Sequence, residues 1–319
     1  MHYLVTGGAG FIGSHLCSRL IKDEHSLTCI DDFNDYYSPK VKHQNIASLK
    51  KNAHFQLIEG DILDWPLLKR LFQEQSFDGI VHLAARAGVR PSIQQPRLYQ
   101  KVNVEGTVNL LEMAVRHQIP KFIMASTSSV YGNNKKVPFH ENDPVDHPIS
   151  PYAATKKACE LISHTYFAIY HLPVTCLRFF TVYGPRQRPD MAIHKFTRLI
   201  EAGEPVPFFG DGTTKRDYTY IDDIIDGVVK AIECCRGYHI YNLGESQTIE
   251  LRALIRLIEK AVGKKAILNK MPLQPGDVFK TYADIARAKE EIGYNPQVSI
   301  EKGVERFVSW YNRQTEENE

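Results

Sequence analysis

The chain has 319 residues, 43% of them hydrophobic, with 39 lysines and arginines against 37 aspartates and glutamates. That length can bury a large core and suggests a nucleotide domain plus a smaller partner, while the near balance of charge excludes the basic footprint of a nucleic-acid or membrane-surface binder. No apolar run approaches the roughly 18 residues of a membrane span, and the six cysteines, without a C-x-x-C pair, read as reduced packing residues of a cytoplasmic protein.

In chain order, His2–Thr6 reads as an apolar strand, and its start at residue 2 leaves no room for a signal peptide. Gly7-Gly8-Ala9-Gly10-Phe11-Ile12-Gly13 follows at once, and Phe11, Ile12, Leu16 and Leu20 fall on one helical stripe. Strand, glycine turn and helix in that order are the context of a dinucleotide fingerprint. Gly7 and Gly10 allow a tight turn and close backbone approach, Gly13 allows close helix–strand packing, and the helix N-terminus faces a pyrophosphate. The spacing is G-x-x-G-x-x-G rather than G-x-G-x-x-G.

The next strand, Ser26–Ile30, ends in Asp31-Asp32. A carboxylate there accepts hydrogen bonds from both adenosine ribose hydroxyls and repels a 2′-phosphate. The first cation beyond it is Lys40, so NAD rather than NADP is expected, held by Asp31. Asp32 remains open, since an acid after a strand also caps a loop.

Strands at Phe55–Glu59, Gly79–Ala84, Lys121–Ala125 and Val174–Phe180 then alternate with helices near 64–74, 95–117 and 152–170. Such alternation predicts an α/β fold, a doubly wound parallel sheet with ligands at the carboxyl ends of its strands. Asp61, Ala84 to Gly88 and the hydroxyl run Ser126 to Ser129 lie at those ends. His82, inside an apolar strand, reads as a satisfied core residue, and the 13 histidines show no metal-ligand spacing, so no metal is expected.

Tyr152 and Lys156 stand four apart and share one helix face. A phenol titrates near pKa ~10, and a neighbouring ammonium favours the phenolate, a general base for a substrate hydroxyl. The pair alone is weak, because this spacing is common on exposed helices. The glycine turn upstream and the hydroxyls between give it weight. After residue 180 the regularity breaks, with prolines at 185, 189, 205 and 207 and a turn at Gly210-Asp211-Gly212. Helices near 190–202, 249–262, 284–292 and 300–312 predict a smaller lobe, with a substrate between the two.

Gly7-x-x-Gly10-x-x-Gly13, Asp61-Ile62, His82 to Ala85, Tyr152-x-x-x-Lys156, Arg216 to Asp223 and Gly276-Asp277-Val278 together resemble the extended short-chain dehydrogenase/reductase superfamily. The likeness covers essentially the whole chain. It implies a Rossmann-like domain over 1–180 and a smaller α/β nucleotide-sugar lobe over 181–319, and it allows a strand or helix of that lobe to rejoin the first. It further implies a tightly bound, recycled NAD, with Asp61 and Ile62 at the adenine, Ala84 at a strand end and Lys156 on the nicotinamide ribose. Thr127 would hydrogen-bond the reacting oxygen, and a homodimer would form through helices 95–117 and 152–170.

Within that superfamily, 4,6-dehydratases place an Asp-Glu pair after the threonine, and decarboxylases forming UDP-xylose typically read Thr-Ser-Glu. Here Ser128 and Ser129 follow, which leaves reversible oxidation at a sugar's C4, hence epimerisation. Phe179-Phe180-Thr181-Val182-Tyr183-Gly184-Pro185, Arg188 to Ala192 and Ala87 to Arg90 resemble UDP-glucuronate 4-epimerases. Thr181 stands where UDP-galactose epimerases usually carry Asn, and Gln274 where they carry Arg.

The resemblance implies Ser128, Ser129 and Thr181 as donors to a sugar carboxylate, helped by Arg90, Arg186 or Arg188. Arg216 would meet the diphosphate, Phe209 the uracil, and Asp277 the substrate. Thr281, small, leaves room for an N-acetyl group. The alternatives are a UDP-glucose or UDP-N-acetylglucosamine epimerase, a decarboxylase, or a non-catalytic NAD-binding sensor on the same fold.

Overall fold

The computed structural model of the protein describes residues 1–273 and 278–316. Its first half follows the expected alternation, with β1 (His2–Thr6), β2 (Ser26–Asp31), β3 (Phe55–Glu59), β4 (Gly79–His82), β5 (Phe122–Thr127) and β6 (Val174–Phe179). These strands pair in parallel in the order β3-β2-β1-β4-β5-β6. All residues of β4, β5 and β6 are buried, as strands covered on both faces must be.

Side chains alternate between two cores. Val5, Val81 and Ile123 join the helices Phe11–Lys22 and Ile221–Glu233 on one face. Leu4, Ile80, Phe122 and Met124 join Trp65–Glu74, Gly106–Arg116 and Pro151–Tyr170 on the other. Because β1 pairs with β2 on one side and β4 on the other, strand order reverses there, and a crevice opens at the carboxyl ends.

The second half adds β7 (Thr181–Tyr183), β8 (Pro205–Phe209), β9 (Lys215–Arg216), β10 (Tyr218–Tyr220), β11 (Tyr238–Leu243), β12 (Ile249–Glu250) and β13 (Ile267–Met271). Three short pairs form, β7 with β10, β9 with β12 and β8 with β13. β11 instead returns to the main sheet and pairs in parallel with β6, making seven strands.

The single helix expected over 95–117 is in three pieces: Pro96–Tyr99, a π-helical stretch Gln100–Glu105, and Gly106–Arg116. Within the wider turn Asn103 is buried, accepting from the Arg86 N–H at 2.8 Å and donating to the Arg86 carbonyl and Thr155 Oγ1 at 3.1 Å. Among the described residues no helix is long and apolar enough to cross a membrane.

Candidate active site

The crevice holds a cavity of about 260 Å³ whose lining runs from Gly7 and Asp31 at one end to Thr127, Tyr152 and Lys156 at the other. Its floor is backbone. Gly7 has φ +70°, and a Cβ there would lie 2.7 Å from the Ala84 amide nitrogen at the end of β4. A Cβ on Gly13 would collide with the Gly7 carbonyl. The helix Phe11–Lys22 starts at Gly10 without a side-chain cap, and Phe11, Ile12 and Gly13 line the cavity. Its first-turn N–H groups therefore suit an anion.

Asp31 lies at the end of β2, where Ala9 and Phe33 N–H groups donate to it at 3.1 and 3.0 Å. Burial pushes its pKa up, and Lys42 opposes that shift. This lysine is a correction to the sequence reading, which found no cation near the acids. The helix Pro39–Asn45 folds back, so buried Lys42 stands 3.5 Å from Asp31 and 3.9 Å from Asp32. Asp61, Ile62 and Ala84 line the same end, and Asp61 accepts from the Leu63 N–H at 2.9 Å. An open helix end flanked by carboxylates fits the pyrophosphate and ribose hydroxyls of a dinucleotide.

At the other end Thr127 closes β5, while Tyr152 and Lys156 stand on the helix Pro151–Tyr170, whose first turn Ser150 caps by accepting from the Ala153 N–H. Lys156 is buried and donates from Nζ to the Ala125 carbonyl at 2.8 Å, and burial lowers its pKa. Burial raises the pKa of Tyr152, while the Thr127 hydrogen bond and the Arg188 charge pull it down. The expectation that Lys156 acidifies the phenol is thus not met by this geometry. Its ammonium is turned to a carbonyl, and the groups that favour the phenolate are Thr127 and Arg188.

The hydroxyl run also differs in detail. Thr127 itself caps the short 3-10 turn Ser128–Tyr131, accepting from the Ser129 N–H at 3.1 Å and donating to Ser129 Oγ at 3.2 Å. Ser128, Ser129 and Thr181 are partly exposed but stand outside the lining of this cavity. For Thr181 the cause is alternation, since Phe180 and Val182 line the cavity on either side of it.

A second cavity, about 200 Å³, gathers Arg90, Phe209, Arg216 and Asp190. The Arg90 guanidinium lies over the Phe209 ring, 5.0 Å from its centroid. Arg216 donates from Nη1 to the Lys215 and Phe279 carbonyls at 2.9 and 3.3 Å. Arg188 lines the first cavity and makes a bidentate pair with Asp190 of the second, 3.0 Å from Nε and 2.9 Å from Nη2.

Arg186 reaches Ser18 on the first helix at 3.4 Å and lines neither cavity. Thr281 is buried, its Oγ1 accepting from the Asp217 N–H at 3.2 Å. Gln274 and Asp277 lie outside the described residues. Sequence reasoning missed Lys42, Tyr36 and Tyr37 in the lining of the first cavity, and gave Arg86 and Met191, inside segments it did single out, no role of their own. The aromatic-polar run Asp32 to Tyr37, directly after the acidic strand end, carried the available signal for two of them.

Fold and site together define an α/β protein with a crevice shaped for a dinucleotide and a Thr–Tyr–Lys constellation at its far end. The sequence profile of the family described as GDP-mannose 4,6 dehydratase matches residues 4–307, and the chain belongs to that family. It is 43% identical over 310 residues to a UDP-glucuronate 4-epimerase of Thermodesulfobacterium geofontis, covering 97% of this chain and 95% of that one. It superposes with TM-score 0.93 and 40% identity on the UDP-glucuronic acid 4-epimerase of Bacillus cereus, solved in complex with UDP-glucuronic acid and NAD. That match covers 98% of this chain and all of the other. A UDP-glucose 4-epimerase of Thermotoga maritima, solved with UDP-glucose, matches at TM-score 0.91 and 34% identity, over 99% of this chain and 100% of that one.

Proposed function

We propose that this protein is an isomerase, an NAD-dependent 4-epimerase interconverting UDP-glucuronate and UDP-galacturonate. One observation carries the reading: Thr127, Tyr152 and Lys156 meet in a dinucleotide-shaped crevice, and serines follow the threonine where acids would serve elimination. The acids lining that cavity, Asp31, Asp32 and Asp61, follow β2 and β3, away from the hydroxyl run. The epimerase relatives support the same conclusion.

NAD⁺, when bound, accepts hydride from C4 of the sugar and returns it to the opposite face. Gly7, Gly10, Phe11, Ile12 and Gly13 hold its pyrophosphate, Asp31 a ribose, Asp61, Ile62 and Ala84 the adenine side, and Lys156 the nicotinamide ribose. Tyr152 takes the C4 hydroxyl proton and later gives it back, while Thr127 steadies that oxygen. Arg90, Phe209 and Arg216 hold the UDP end, with Arg188 between the two cavities; Asp277, outside the described residues, is assigned to the substrate on the sequence likeness alone. Residues 1–180 mainly serve the cofactor and 181–319 mainly the nucleotide sugar.

Oxidised glucuronate is a β-keto acid, which loses carbon dioxide when the carboxylate bond aligns with the carbonyl π system. For Ser128, Ser129 and Thr181 to hold the carboxylate out of that alignment as neutral donors, it must reach past the lining of the first cavity to these partly exposed hydroxyls. The six unpaired cysteines fit a reducing, cytoplasmic setting. Exposed Leu161, Ile169 and Tyr170 on the helix Pro151–Tyr170 support a homodimer through that helix and 96–116, and a monomer in sedimentation would remove this part.

Proton NMR of the enzyme with UDP-glucuronate, UDP-glucose and UDP-N-acetylglucosamine in parallel tubes tests the substrate. UDP-galacturonate formed in the first tube alone, without a pentose product, is the expected result. Turnover confined to a neutral sugar overturns the carboxylate assignments.

A further inference from the structure

The three residues that end β5 are each held by a different partner. The Ala125 carbonyl accepts from Lys156 Nζ at 2.8 Å, Ser126 Oγ donates to Glu160 Oε1 at 2.6 Å, and Thr127 Oγ1 meets Ser129 Oγ at 3.2 Å beside the Tyr152 phenol, whose pKa it pulls down. Lys156 and Glu160 stand four apart on one helix face, so the helix grips two successive residues of the strand just before Thr127.

Glu160 is fully buried and is itself fixed. Arg178 of β6, 1% exposed, meets its two oxygens from Nε and Nη2, each at 2.8 Å, and Lys157 stands at 3.5 Å. The other arm of Arg178 donates to Tyr131 Oη at 2.9 Å and to the Glu141 carbonyl at 3.2 Å. Tyr131 in turn donates to Asn242 Oδ1 on β11 at 2.7 Å. Burial raises the Glu160 pKa, but the Arg178 and Ser126 bonds outweigh it and hold the carboxyl below its ordinary value. A buried ion pair is a weak source of stability compared with well-packed apolar residues. Stability alone is therefore a poor account of this network, and its one link toward the cavity is Ser126.

We propose that Glu160, acting through Ser126, is a positioning residue that holds the Thr127 hydroxyl in register with the Tyr152 phenol. The inference rests on Thr127 and Tyr152 as the acid–base pair of the proposed epimerase. The Thr127 side chain is tied to Ser129 by two hydrogen bonds, so its place relative to Tyr152 is set by where the end of β5 lies. A displacement of about 1 Å at such a site can cost ~10²-fold in rate.

The groups that face the phenol come from several elements. They are Thr127 from β5, Cys159 from its own helix, Tyr99 edge-on at 6.2 Å, Tyr36 from the loop after β2 and Arg188 from the segment after β7, while Lys156, one turn along, is turned to the Ala125 carbonyl. Of these, Thr127 favours the phenolate, which requires its hydroxyl to turn from Ser129 Oγ and donate to the phenolate oxygen. Freeing Thr127 therefore moves the Tyr152 titration to higher pH.

Ser126→Ala in the NAD-loaded enzyme removes the link and leaves the Glu160–Arg178 pair intact. The expected kcat for UDP-glucuronate falls about tenfold, with KM held within about twofold, as loss of an interaction made in the transition state requires. The phenolate ultraviolet titration, taken as the difference from Tyr152→Phe, shifts upward. Ser126→Thr, which keeps a hydroxyl, restores both readings. Wild-type kcat with an unshifted titration overturns the proposal, and so does a lowered kcat with an unshifted titration. Should no UDP-sugar turn over with the wild type, the function fails, and the titration still decides the role of Ser126.

Discussion

The first cavity has a main-chain floor of glycines, strand ends and an uncapped helix start, whereas the second is walled by side chains such as Arg90 on the helix Val89–Gln94 and Phe209 and Arg216 on strands of five and two residues. Main-chain walls are set by the folding of the seven-stranded sheet and tolerate no added atoms. Side-chain walls are set one rotamer at a time, so their affinity can be retuned by single substitutions while the fold stays as it is. The same chain thus fixes its cofactor rigidly and leaves its substrate end adjustable.

The sharpest test of the division is at the reacting end of the first cavity. Tyr152→Phe should lower kcat by ~10²–10⁴-fold, the range for losing a general acid–base group, while the NAD content of the purified protein stays at the wild-type level. Retained turnover would break the assignment. Gly7→Ala attacks the floor itself, since the new Cβ meets the Ala84 backbone and φ is +70°. A strain of about 1–3 kcal/mol is expected, read as a lower melting temperature together with loss of bound NAD.

On the other side of the comparison, Arg216→Ala should raise KM for the UDP-sugar by ~10–100-fold, the worth of charge-assisted bonds, with kcat and NAD content nearly unchanged. A fall in NAD content instead would mean that the two regions are not independent.

The smallest effect concerns Glu245, below the second region. Its Oε2 is buried without a hydrogen-bond partner, and burial, with the charges of Asp223 and Asp217, pushes its pKa up to about 8. A carboxyl raised in the folded state stabilises the protein below its unfolded pKa, and that contribution is lost as pH rises through about 8. Glu245→Gln should therefore raise the melting temperature at pH ~9 and leave it unchanged at pH ~5. The gain is about 1 kcal/mol after discounting for partial exposure. Equal shifts at both pH values would show that the charge is not the cause.

What the sequence disclosed and what it hid follow the same physical line. β1 and β3 were legible to the residue, β1 as a buried apolar run and β3, an edge strand with only Phe55 buried, from its Phe55, Leu57 and Ile58. The glycine turn, Asp31 and Asp61 were legible because each directly follows such a run. Lys42 was hidden because its pairing depends on a helix folding back across the loop after β2. The Arg188–Asp190 pair and the inward turn at Asn103 were hidden for a like reason, since neither leaves a period in the sequence. Thr181 was placed by likeness to relatives, and strand alternation turns it from the first cavity.

The return of β11 to the main sheet has a consequence for how the molecule can move and be divided. The strand that closes the sheet beyond β6 is delivered only after residue 237, once β7 to β10 and the helix Ile221–Glu233 have been traversed. The halves are therefore stitched rather than hinged, and a rigid swing of one against the other would tear a six-residue parallel ladder. A polypeptide ending near residue 180 would present β6 as a bare edge, open to pairing with other chains. The cofactor half is thus no detachable module, and a nascent chain completes its first sheet only after the first part of its second lobe is made.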